Sequence, residues 1–142
     1  MKVLAVACLT WLVHTNTGGC GGDALTFSYV GSHEGLGQAT EAAEAWNRTC
    51  GTAIRVTSES GHIPLHEVES VVFLDKERSG KTVMRGRDVR LIEFERAPNG
   101  AEVLTHEFGH ALGIVAHTDG GVMNGPHQPG SVVTLLECGL LP

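Results

Sequence analysis

Residues 101–117 constrain this chain more than any other stretch. Ala101, Leu104, Phe108, Ala111 and Leu112 recur at three- and four-residue steps, the period of an α-helix packed along one side. At 3.6 residues per turn, His106 and His110 fall roughly opposite that stripe. Asn99 stands at the N-cap position with Glu102 three residues later, which predicts a capping-box variant. Gly113 is placed to end the helix, because glycine adopts the positive φ that such a stop requires. The fold must therefore pack one face of this helix on a core and turn the other, with its two imidazoles, toward a cleft.

His106-Glu107-Phe108-Gly109-His110 gives that second face a chemistry. Side chains four apart on a helix stand about 5–6 Å apart at Cβ, so both imidazoles can reach one Zn²⁺ at about 2 Å. Glu107 is badly placed to bind the same ion but can reach a water on it. Zinc lowers the pKa of that water to about 7, and a carboxylate beside it accepts the proton as the water attacks a carbonyl. His117, beyond Gly113, is the candidate third ligand. Asp119 is the reserve, since a carboxylate oxygen also suits zinc.

The 142 residues have the length of one domain, read here as 23–142. Glycine is abundant at 19 residues and aromatics are scarce at 5%, which predicts a loop-rich fold with a thin core. Ten Lys and Arg against sixteen Asp and Glu, net −6, argue against a nucleic-acid partner. Lys2 followed by the apolar run from Val3 to Val13 reads as a secretory signal, taken as 1–19; a buried first strand is the alternative. Thr17-Gly18-Gly19-Cys20 resembles a bacterial lipobox, although Thr17 stands where a Leu-type residue is usual. Cys20 is then a candidate for lipidation and the sole expected means of membrane anchoring. A secreted, periplasmic or cell-surface location follows. Cys8 leaves with the signal, so Cys50 and Cys138 are either a disulfide or two separate buried thiols.

Alternation over Ala24–Val30 predicts a strand, and Leu36, Ala39, Ala43 and Trp46 predict a helix stopped at Cys50-Gly51. Ile54 and Val56 give a second strand, which makes a βαβ unit with parallel neighbours. Val71–Leu74 reads as a third strand and Val89–Phe94 as another, with Ser79–Arg87 as loop or weak edge strand. His62 and His66 share four-residue spacing, but Pro64 puts them in a loop-like stretch, where a second metal site is the lesser reading. His33 reads as a solvated residue near a helix start. His127, between Pro126 and Pro129, lines a pocket or sits in solvent, and Asn47-Arg48-Thr49 fits a glycosylation acceptor.

The run from His106 to Gly113 resembles the signature of the metzincin zinc metallopeptidases, and Val103-Leu104-Thr105 is similar to the helix lead-in of matrixins. Val122-Met123-Asn124 resembles the Met-turn of that family, and Ala45-Trp46-Asn47 is similar to small secreted members of the matrixin and snapalysin kind. The resemblance is strong over residues 101–124. It implies an α+β, zincin-like fold: a mixed twisted sheet of four or five strands, two main helices and a short carboxyl-terminal part. It also implies His106 and His110 as zinc ligands, Glu107 as general base, Met123 beneath the metal, and an edge strand that pairs with an extended peptide. The expected activity is that of a monomeric zinc endopeptidase acting on peptides or proteins. The alternative is a catalytically inactive zinc-binding domain used as an interaction module.

The sequence departs from the family pattern in one register. The family spacing H-E-x-x-H-x-x-G-x-x-H, with Asp last in snapalysins, puts the third ligand at Ala116, and His117 stands one residue late. A one-residue bulge after Gly113 is expected to deliver it. Tyr29 is the only tyrosine, so the transition-state tyrosine of some metzincins is absent near Met123.

Overall fold

The computed structural model describes residues 24–74, 76–125 and 130–142. The signal-sequence reading of 1–19, Cys8, Cys20 and His127 all lie outside the described residues. The chain is mixed α+β. Strands β1 (Leu25–Val30), β2 (Ile54–Thr57), β3 (Ile63–Val68), β6 (Gly80–Arg85) and β7 (Asp88–Glu95) form one twisted sheet in the order β2-β1-β3-β7-β6. Its first four strands in that order are mutually parallel, and β6 runs antiparallel to β7 at the edge. Strands β4 (Val71–Phe73) and β5 (Lys76–Arg78) make a separate antiparallel pair. Helices α1 (His33–Cys50) and α2 (Gly100–Ala111) are the long ones, and α3 (Leu135–Cys138) is a single turn.

Helix α1 follows its sequence pattern closely. Ser32 caps it by accepting from the Gly35 N–H at 3.1 Å, and Ala39, Ala42, Ala43 and Trp46 are its buried side. Gly51 ends it in the left-handed region, at φ 68°. Asn47 then ties helix to strand: its Oδ1 accepts from Ile54 N at 2.8 Å and its Nδ2 donates to Ile54 O at 2.9 Å. The amide that the glycosylation reading requires is therefore engaged inside the fold. His33 is exposed at the helix start, as expected.

The start of α1 is fixed to β3 through Glu67, whose Oε2 accepts from Ser32 Oγ at 2.6 Å and from the Tyr29 hydroxyl at 2.8 Å. Burial would raise the Glu67 pKa, but these donors and the nearby Arg96 outweigh it and hold the carboxyl below its usual range. Burial, and then the Glu67 carboxylate, push the Tyr29 phenol well up. The core lies between the sheet and the two long helices. Phe27 of β1 stacks on Phe108 of α2 with ring centroids 5.0 Å apart, and Trp46 donates through Nε1 to the Thr105 carbonyl at 2.7 Å.

Three expectations need correction. The stretch around Pro64, read as loop, is β3, the middle strand of the sheet. Proline's fixed φ suits an extended chain, and its missing donor is a single gap. Beside that gap, the Ser28 hydroxyl of β1 accepts the His62 N–H at 3.0 Å. The strand expected at Val71–Leu74 pairs with β5 and not with the main sheet. The capping box at Asn99 does not form: with φ −92° and ψ 19° the side chain makes no cap bond, and Glu102 accepts instead from Gly130 N at 2.8 Å. A capping box is present on α3, between Thr134 and Glu137.

Candidate metal centre

Helix α2 carries His106 and His110 one turn apart, and the chain beyond it returns His117 to the same place. The return starts with a Schellman stop. Gly113, at φ 108°, donates to His110 O at 3.0 Å, and Ile114 N reaches Gly109 O at 3.0 Å. Ile114 is buried while Val115 and Ala116 are exposed, so the extra residue of the shifted register is taken up where nothing packs against it.

The three rings lie 4.7, 5.1 and 5.3 Å apart between centroids. One nitrogen from each falls within 4.8 Å of the others, so the group could hold a metal ion. Tetrahedral coordination at about 2 Å would draw such atoms to roughly 3.4 Å from one another. Asp119 is not in this group, and neither are His62 and His66. Among the described residues no other such cluster occurs.

Backbone carbonyls orient two of the rings. His106 Nδ1 lies 2.8 Å from Val122 O and His110 Nδ1 lies 2.7 Å from Ile114 O. A carbonyl only accepts, so in each neutral ring Nδ1 carries the proton and Nε2 the lone pair a metal needs. For His117, partial burial and the neighbouring His110 and Arg78 lower the pKa, which favours the neutral, ligating form.

Residues 121–124 form a turn closed by Asn124 N to Gly121 O at 3.4 Å, and Thr118 N reaches back to Met123 O at 2.9 Å. Met123 is fully buried under α2. A Cβ at Gly109 would run into the Met123 sulfur, so the glycine lets the two approach. The turn is held from below by Glu137, itself buried, whose Oε1 accepts from Met123 N at 2.7 Å and whose Oε2 accepts from Thr134 N at 2.8 Å. Glu137 is therefore a support of the turn.

Glu107, 5% exposed, receives a 2.6 Å hydrogen bond from the Thr82 hydroxyl of β6. Burial pushes its carboxyl up to about 7, with Thr82 pulling the other way. Gly80 makes room for it, since a Cβ there would sit 3.0 Å from Glu107 Cγ and 2.7 Å from Val103 Cγ1. The resulting cleft, about 460 Å³, runs between β6 and the three imidazoles. Thr82 and Gly80 carry no signal in the sequence, because their significance lies in a strand that only the sheet brings over α2.

Cys50 and Cys138 are joined in a disulfide with Cα atoms 5.2 Å apart. It ties the end of α1 to α3, next to Glu137. Among the described residues no helix is long and apolar enough to cross a membrane. No protein-family model matches the chain, and no curated protein matches it.

The placement of the third imidazole has a direct test. His117→Ala should weaken binding of added Zn²⁺ by about 10²–10³-fold: four-ligand structural zinc sites bind at about 10–16 kcal/mol, or roughly 2.5–4 kcal/mol per ligand. Asp119→Ala should leave affinity unchanged. Competition against a chromogenic chelator reads both, and the opposite ranking would break the three-histidine assignment.

Proposed function

We propose that this chain is a zinc-dependent endopeptidase with a zincin-like fold of metzincin type, working outside the cytoplasm. The observation that carries the reading is the joint placement of three convergent imidazoles and the buried Glu107 carboxylate on one open cleft. Two neutral imidazoles with their Nδ1 atoms bound to carbonyls suit zinc, and three protein ligands with an open position are the pattern of a catalytic site. When bound, zinc would supply Lewis acidity, lowering the pKa of a coordinated water to about 7 and polarising the scissile carbonyl.

The chain's own groups do the rest. Glu107 accepts the proton of the attacking water and passes it to the nitrogen of the departing amine. Thr82 holds Oε2 of that carboxylate, leaving Oε1 for the transfer. Strand β6 is the outermost of its sheet, so an extended peptide can hydrogen-bond along it and lay its scissile bond over the imidazoles. The disulfide supports an oxidising compartment.

The test is metal removal. The purified protein should hold about one zinc per chain and cleave a quenched casein substrate; 1,10-phenanthroline should abolish cleavage, and one equivalent of zinc should restore it. A zinc-loaded protein that cleaves nothing would leave a metal-binding interaction module in place of an enzyme.

A further inference from the structure

The cleft at the imidazoles is one end of a longer groove. A second cavity of about 760 Å³ opens on the other side of His110 and His117, and Thr82 lines both. Its walls are largely apolar, with Met84 on β6 facing Leu112, Val115 and Pro142. Gly80, Lys81 and Thr82 line the first cavity and Thr82 and Met84 the second, so β6 runs along both.

Charge along residues 76–90, which supply one wall of the groove, is opposite to that of the chain. Six of the ten Lys and Arg fall between residues 76 and 90, against two carboxylates there, although the whole chain carries net −6. Lys81 is neutralised by Glu93 at 2.6 Å and Arg90 lies 3.7 Å from Asp88. Arg78 lines the first cavity together with Glu77, and Arg87 the second, and among the described residues neither arginine is ion-paired. Each cavity thus has one guanidinium in its lining, and His110 and His117 line both.

We propose that the groove selects extended acidic segments of peptides or proteins: an apolar side chain enters the cavity beside Met84 and Leu112, and carboxylates on either side meet Arg78 and Arg87. Arginine suits the task because its planar fork binds a carboxylate through two parallel hydrogen bonds. The inference rests on the peptidase reading and names the substrate class of that same site.

The experiment uses three quenched octapeptides with one apolar centre, flanked by Glu, Gln or Lys, and the zinc-loaded full chain. The Glu peptide should exceed the Gln peptide in kcat/KM by about fivefold per carboxylate, the upper end for pairs at exposed guanidinium groups, and the margin should shrink in 0.5 M NaCl. Arg78→Glu combined with Arg87→Glu should reverse the order toward the Lys peptide, with rates normalised to the zinc content of each preparation. Equal cleavage of all three peptides would overturn the proposal and leave the peptidase reading intact. If no peptide is cut, fluorescence anisotropy with the same peptides decides. Preferential binding of the Glu peptide, lost in the double variant, would keep the groove and remove the peptidase reading; indifferent binding would remove both.

Discussion

Glu107→Gln is expected to lower peptide hydrolysis by about 10²–10⁴-fold while zinc content stays at wild-type level, the range that loss of a positioned general base produces. The substitution keeps shape and volume, and the amide oxygen can still accept from the Thr82 hydroxyl that now bonds Oε2. What disappears is the ability to take a proton from water. Because Glu107 is not one of the three clustered histidines, metal affinity should not fall with activity. Elemental analysis and kcat/KM on the same preparation separate the two. Equal rates for variant and wild type would remove Glu107 from the mechanism.

Replacing Cys50 and Cys138 together by serine should destabilise the fold by about 4–5 kcal/mol, the loop-closure term for a cross-link spanning 88 residues. Thermal unfolding should then begin some 10–20 °C lower, at a few degrees per kcal/mol for a domain of this size. The site should feel the change as well. Helix α3 is four residues long, and its Glu137 holds Met123 N, while the carbonyl of the adjacent Val122 orients His106. Losing the tether beside Glu137 should therefore weaken zinc binding by about tenfold, the scale on which partners of metal ligands act. Unchanged melting and unchanged affinity together would show that α3 is held by its packing alone.

What the sequence made legible is what one local stretch can encode. The spacing of Ala39, Ala43 and Trp46 defines α1, and alternation defines β1. His106 and His110 stand out because a helix alone brings them together. His117 was readable as a candidate because it follows α2 closely; which of His117 and Asp119 joins the group depends on a turn that spacing does not encode. Strand β3 was hidden by Pro64, whose local signal is a break, while its place is set by neighbours far along the chain in β1 and β7. Thr82 and Glu137 were hidden for the same reason: their partners, Glu107 and Met123, lie 25 and 14 residues away. Asn99 misled in the opposite sense, since a residue type suited to capping does not fix the backbone angles that capping needs.

The two walls of the groove come from stretches of chain that do not overlap. The imidazoles belong to residues 106–117, and the facing wall belongs to residues 77–87. Inherited variation can therefore act on one wall without disturbing the other, except where they touch. Gly80 has no room for a side chain, and Thr82 is bonded to Glu107, so drift at either position is paid in the site itself. Met84 and Arg87 meet the groove with no side-chain hydrogen bond or ion pair among the described residues, and an added Cβ at Gly86 would meet none of them. Exchanging the tip of the β6–β7 hairpin should thus change what one end of the groove grips while leaving the histidine wall as it is.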